Sequence, residues 1–127
     1  RRQVCIYGSD YETPDGTCIR DYVHVSDLCR VHLLALDKLD REPELIYNLG
    51  NETGYSVREV IETVKKVSGK DFRVVEADRR AGDPPVLTAD ARKAKGELKW
   101  KIQWPELEGI VSTAWQWHNS HPDGYPD

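Results

Sequence analysis

The sequence predicts an α/β domain, and three observations carry that prediction. A strand pattern, a helix pattern and a second strand pattern fill residues 17–50, about the length of a βαβ unit. A capping box, Ser56-Val-Arg-Glu59, opens a further amphipathic helix. Short apolar runs at residues 4–7 and 72–76 have strand length and are bounded by turn residues. Strands that alternate with helices argue for parallel pairing.

Residues 4–7 form the first predicted strand. Pro14-Asp15-Gly16 is a turn, because Pro presets φ, Asp bonds its own backbone and Gly accepts positive φ. Residues 17–25 read as a strand, with Ile19, Asp21, Val23 and Val25 on one face and Cys18, Arg20, Tyr22 and His24 on the other. Ser26 is a good N-cap for a helix carrying Leu28, Val31, Ala35 and Leu39 on one stripe. Leu33, Leu34 and Leu36 widen that stripe, so the helix is expected to be buried on more than one side. Residues 45–50 read as a strand closed by Gly50. The next helix buries Val57, Val60, Ile61, Val64 and Val67, has Lys65 and Lys66 at its negative end and stops at Gly69. Residues 72–76 form a strand. Residues 79–85 must be a loop, since two prolines and a glycine defeat regular structure. Asp90 is expected to cap a short helix carrying Ala91, Ala94 and Leu98, and Pro105 to open a last helix through Leu107, Ile110, Val111 and Ala114. The tail from His121 is turn-like.

The chain has 127 residues, enough for one domain that buries roughly two-thirds of its unfolded surface. Charged residues make up 31%, apolar residues 39%, and the net charge is -4. That balance excludes a basic nucleic-acid binder, and the regular recurrence of Leu, Ile and Val excludes a disordered chain. No apolar run approaches the roughly 18 residues of a membrane span. Three cysteines, Cys5, Cys18 and Cys29, are an odd number and include no C-x2-C pair, which favours reduced thiols in a cytoplasmic protein over disulfides or zinc. There is no Met, and the chain begins at Arg1, so residues upstream are expected.

No G-x-G-x-x-G, Walker loop, G-x-S-x-G or H-E-x-x-H occurs, and no Tyr is followed four residues later by Lys. The chain therefore carries no self-contained catalytic machine. Two features remain. Arg20-Asp21 places charge within an apolar strand, which is costly unless paired. It is either a structural pair or an Arg aimed from a rigid strand at an anionic ligand. Arg79-Arg80-Ala81-Gly82-Asp83 is either a solvated loop or a grip in which guanidinium forks take a diphosphate and a carboxylate takes a ribose diol. The four histidines and four tryptophans read as packing residues.

Asp10-Tyr-x-Thr-Pro-Asp-Gly-Thr-Cys-Ile-Arg-Asp-Tyr-Val-His-Val-x-Asp-Leu28 resembles the signature of the UDP-glucose 4-epimerases. So do Tyr47-Asn-Leu-Gly50, Gly54-Tyr-Ser-Val-Arg-Glu59, Arg79-Arg-Ala-Gly-Asp-Pro84 and the ending Trp115-Gln-Trp-His-Asn-Ser-His-Pro-Asp-Gly-Tyr125, so the resemblance runs essentially the full length. It implies an extended short-chain dehydrogenase/reductase with two parts. A larger N-terminal Rossmann domain holds NAD and supplies the catalytic Tyr, Lys and Ser/Thr. A smaller C-terminal part holds the UDP-sugar. Residues 1–127 correspond to that C-terminal part, with about 19–50 as a strand–helix–strand unit returning to the Rossmann sheet. The implied reaction interconverts UDP-glucose and UDP-galactose: NAD takes a hydride from C4, the Tyr takes the hydroxyl proton, the 4-keto sugar turns over and the hydride returns to the other face. The implied enzyme is a cytoplasmic homodimer joined through helices outside this stretch, with no nucleic-acid or membrane partner.

Carried over position by position, Cys5, Ile6 and Tyr7 match the strand along the uracil, Arg20 and Arg80 the pyrophosphate-binding arginines, Tyr22 a pocket residue and Asp83 the ribose-binding carboxylate. Ala81 and Gly82 complete the binding loop. Leu87 matches a position held by Tyr in some members and by smaller residues, which admit a 2-N-acetyl group, in others; Leu is intermediate. No catalytic, cofactor or metal residue is expected within the chain. Related epimerases, dehydratases and decarboxylases of nucleotide sugars are the nearest alternative. A UDP-binding fragment without catalysis, or an incomplete piece with no function alone, is the alternative of a different class; the leucines that would lose cover without the Rossmann sheet favour the incomplete piece.

Overall fold

The computed structural model describes residues 3–125; Arg1 and Arg2, and the Pro126-Asp127 end of the predicted tail turn, lie outside them. The elements run β1 (Gln3–Tyr7), β2 (Ile19–Asp21), α1 (Val25–Leu39), β3 (Gly54–Ser56), α2 (Val57–Ser68), β4 (Arg73–Ala77), β5 (Val86–Leu87), α3 (Arg92–Leu98) and α4 (Leu107–Ser120). The α/β class holds.

Two small sheets organise the described residues. β1 pairs with β4 in parallel, from Gln3 opposite Arg73 to Tyr7 opposite Ala77. β2 is the middle of a second sheet, antiparallel to β3 and parallel to β5. The register sets Arg20 opposite Tyr55 on one side and Leu87 on the other. Helix α2 packs on α4, and α1 on α3. Between the latter pair lies a core of Val31, Ala91, Ala94, Leu98 and Trp100.

The capping box forms as expected. The Ser56 hydroxyl accepts from Glu59 N at 3.0 Å, the Glu59 carboxylate accepts from Ser56 N at 2.7 Å, and Gly69 ends α2 in the left-handed region at φ 63°. Gly16 closes the predicted Pro-Asp-Gly turn at φ 79°. There the Asp15 carboxylate accepts from Thr17 N at 2.9 Å and from the Ser56 hydroxyl, so the turn and the start of α2 are one unit.

Four expectations are corrected. The strand over residues 17–25 shortens to Ile19–Asp21, because the chain has already turned into α1 at Val25. The cap of α1 is His24, whose Nδ1 accepts from Ser26 N at 3.0 Å, and not Ser26. Residues 45–50 make no ladder, and Ile46 is 71% exposed; apolar spacing makes a strand only where a neighbour supplies the hydrogen bonds, and β2 spends its two edges on β3 and β5. Helix α1 is buried on one side only: Val31 is enclosed while Leu33 and Leu36 are 63% and 59% exposed. Smaller shifts follow at later helices. Asp90 accepts from Arg92 N at 3.0 Å but lies one residue before the cap, Ala91, and Pro105 stands just before the cap of α4, Glu106. Trp100 is core, whereas Trp104 is 36% exposed and stacks on His24 at 4.7 Å.

Two carboxylates lock this frame. Asp27, fully buried in the first turn of α1, accepts from the backbone N–H of Gln103 at 3.1 Å and of Trp104 at 3.0 Å. Asp21 accepts from Asn51 N at 2.7 Å and from Glu52 N and Ala89 N at 3.1 Å, which ties β2 to the loops on either side. The charge at Asp21 is thus compensated by backbone amides, and Arg20 is left to face elsewhere.

Candidate functional site

Parallel pairing of β1 with β4 sends the chain out of both strands at the same edge. Residues 8–10 and 78–80 therefore leave the sheet side by side, at the carboxyl ends where ligands of open α/β sheets bind. The loop after β4 then folds back to β5, and β5 lies against β2. That path brings residues from β1, β2, β5 and the 79–85 loop to one place.

At its centre is Asp83, whose side chain is 25% exposed. Arg80 Nε donates to Asp83 Oδ2 at 3.0 Å, and Arg20 Nη2 stands 3.5 Å from Asp83 Oδ1. Arg20 is fixed from behind: its Nη1 donates to the carbonyls of Ile19 at 2.8 Å and Pro84 at 2.9 Å. Arg80 is looser, with a 63% exposed side chain, and its guanidinium lies 4.8 Å over the ring of Tyr7. Two guanidinium groups share one carboxylate, so the cluster carries a net positive charge and suits an anion with more than one negative oxygen. Ala81 and Gly82 form the exposed turn between Arg80 and Asp83, with Asp83 N donating to Arg80 O at 3.3 Å and Gly82 at φ 84°. Leu87 is 58% exposed and sits beside Arg20 by strand register.

The first strand divides its residues. Ile6 is buried in the interior, Cys5 is half-buried and Tyr7 is exposed. Among the described residues β1 has one ladder partner, β4, so one edge of its backbone carries no strand. Tyr22 is half-buried just beyond β2, and burial pushes its hydroxyl pKa up, against the opposing pull of Arg20. Among the described residues it makes no hydrogen bond to the Arg20–Asp83–Arg80 cluster. Tyr7, Arg20, Arg80, Ala81, Gly82, Asp83 and Leu87 thus come together, Cys5 and Ile6 lie on the same strand as Tyr7, and Tyr22 lies near Arg20 without a hydrogen bond to the cluster.

The arginines of the loop have different partners. Arg79 turns away from Asp83: its Nε donates to Asp10 Oδ1 at 2.7 Å, a terminal nitrogen donates to the Asp10 carbonyl, and its guanidinium lies 4.1 Å over the Tyr11 ring. The sequence reading missed Asp10 and Tyr11 here. Sixty-nine residues separate Asp10 from Arg79, and no periodicity spans that interval.

The model of the NAD dependent epimerase/dehydratase family matches residues 1–50. The UDP-glucose 4-epimerase of Streptomyces lividans is 50% identical over 127 residues, which is 100% of this chain and 38% of that protein. A UDP-glucose 4-epimerase from Bifidobacterium longum, solved in complex with NAD+ and UDP, superposes with a TM-score of 0.90 at 40% identity, over 98% of this chain and 37% of that one. The UDP-Glc/GlcNAc 4-epimerase from Campylobacter jejuni superposes with a TM-score of 0.83 at 48% identity, over 94% of this chain and 36% of that one. The chain spans about 38% of the length of the curated relatives it matches. By sequence and by fold alike, it is similar to a segment a little over a third of the length of the UDP-glucose 4-epimerases.

Proposed function

We propose that this chain is the C-terminal, UDP-sugar-binding part of a UDP-glucose 4-epimerase. One observation carries the proposal: Arg20 and Arg80, from elements far apart in sequence, converge on Asp83, with Arg80 over the ring of Tyr7 at the end of β1. A diphosphate would replace the carboxylate between the two guanidinium groups and keep the fork geometry. Asp83, released from them, would accept from the ribose hydroxyls. The uracil would lie along the backbone of Cys5, Ile6 and Tyr7. Leu87, at the outer edge next to Arg20, would meet the sugar. The Bifidobacterium relative, solved with UDP, supports this ligand class.

The chain has no Gly-rich dinucleotide loop, so its own residues do not fit NAD by that motif, and NAD is assigned to residues of the complete enzyme outside this segment. NAD bound there would supply oxidation and re-reduction at C4. The residues here bind the nucleotide and orient the hexose; they neither move the hydride nor take the hydroxyl proton.

The exposed Leu33 and Leu36 fit the incomplete piece, but every side chain named for the proposed nucleotide site comes from this chain, and that favours UDP binding by the chain as it stands, without epimerisation. Titration with UDP by calorimetry should give saturable heat that disappears in Arg20→Ala plus Arg80→Ala. Absence of heat from a chain that melts cooperatively would overturn the proposal.

A further inference from the structure

The adjacent arginines of the loop face opposite ways, and Arg79 is engaged on two sides. Two of its N–H groups donate to Asp10, one to the carboxylate and one to the carbonyl, so both the position and the orientation of the guanidinium are set. Its flat face covers Tyr11 at 4.1 Å, and Tyr11 is 6% exposed. An exposed ion pair is worth little when both side chains are free to wander. Here one face of the guanidinium rests on a buried ring, which restricts it. Gly8 makes room for this arrangement: at φ 84°, it sits where a Cβ would collide with the Tyr11 ring and lie 2.8 Å from Arg79 Cγ. The Asp10 carboxyl is held below the ordinary carboxylate range, first by its hydrogen bond from Arg79, so the pair stays ionised through neutral pH. Gly8 N also donates to Ala77 O at 2.8 Å, which continues the β1–β4 pairing to the edge of the contact.

We propose that Arg79, Asp10 and Tyr11 form a clasp between the loops after β1 and β4, and that Arg79 is a positioning residue that fixes the neighbouring Arg80 over Tyr7 for the diphosphate. The proposal rests on the UDP-site reading. Arg80 has a largely exposed side chain and, among the described residues, only Asp83 and the Tyr7 face as side-chain partners. When a diphosphate takes Asp83's place, Arg80 keeps the Tyr7 face and the turn bond from Asp83 N to its carbonyl, and the clasp at Arg79 fixes the backbone that leads into it. With the clasp closed, the cost of ordering that loop is met before the ligand arrives.

The test is a double-mutant cycle on the chain, read as the Kd for UDP by calorimetry, with a thermal melt of each variant. Arg79→Ala should weaken UDP about tenfold, and Asp10→Asn about threefold, in the range of couplings within one polar network. In an Arg80→Ala background neither should weaken it further, because the clasp acts through Arg80. A residue that merely stabilised the fold would lower affinity equally in both backgrounds, and that result overturns the clasp. So does an unchanged Kd in both single variants when the unsubstituted chain binds UDP. Should Arg79→Ala fail to fold, Asp10→Asn decides, since the Asp10 side chain is 75% exposed. No saturable heat from the unsubstituted chain is a different outcome: it overturns the UDP-site reading and the clasp with it.

Discussion

Leu87 is the residue of the proposed site where a single side chain could tune sugar selection. It pairs with Arg20, the arginine proposed to grip the phosphates, across the β2–β5 register, and it is 58% exposed. Its size can change without disturbing the fold. A Tyr there would reach further over the space in which a sugar C2 substituent must lie, and a steric clash of this kind discriminates by about 1–3 kcal/mol. Leu87→Tyr is therefore expected to weaken UDP-N-acetylglucosamine relative to UDP-glucose by tenfold or somewhat more, an estimate at the low end of that range. The two dissociation constants, measured on the same protein, check this; a ratio equal to that of the unsubstituted chain removes Leu87 from sugar selection.

At the scale of elements, the start of α2 is held by more than its capping box. Ser56 accepts from Glu59 N and donates to Asp15, so one hydroxyl joins the helix to the Pro-Asp-Gly turn. Ser56→Ala removes both links from a site that is 3% exposed, and a lost cap costs about 1–2 kcal/mol. A fall in Tm of about 4–8 °C is expected, read by calorimetry. The same junction gives a pH dependence. Burial by itself would raise the Asp15 pKa, but the hydrogen bonds from Ser56 and Thr17 outweigh it and hold the carboxyl below its ordinary value. A depressed carboxyl pKa adds stability that is fully present above the unfolded value, near 3.8, and is lost as pH falls through the folded one. Asp15→Asn should therefore lower Tm at neutral pH, with a difference from the unsubstituted chain that shrinks as pH drops toward and below 4; a constant difference would assign the effect to packing instead. This junction was largely legible beforehand, because caps and turns are local chemistry: Ser56, Glu59, Gly69 and Gly16 each act within a few residues. The strand at residues 45–50 was misread for the opposite reason, since a ladder depends on a neighbour. His24 as the cap of α1 was missed because Ser26 has the stronger intrinsic preference and His24 gains its place from Trp104 and Thr113, which arrive from far along the chain. Arg20, Arg80 and Asp83 stood out in the sequence as charges in costly or glycine-rich settings, whereas their convergence follows from β2–β5 pairing and the fold of the loop, which no window of residues contains.

At the scale of the molecule, the proposed site spans both sheets. β1 belongs to one sheet with β4, while β2 and β5 belong to the other; the 79–85 loop runs between them. A ligand that touches Tyr7, Arg20, Arg80 and Asp83 at once bridges both sheets, and the unfolded chain cannot present those four residues together. Binding must then stabilise the folded state by mass action: at a free concentration of 100 times Kd the gain is about 2.7 kcal/mol. For a domain of this size that corresponds to a rise in Tm of about 10 °C. The rise should scale with the logarithm of UDP concentration and vanish in Arg20→Ala plus Arg80→Ala. Uridine, which lacks the diphosphate, should give a much smaller rise at equal concentration. Equal shifts from uridine and UDP would mean that the two arginines hold the sheets together without gripping the phosphates, and the site would then have to be sought along β1 alone.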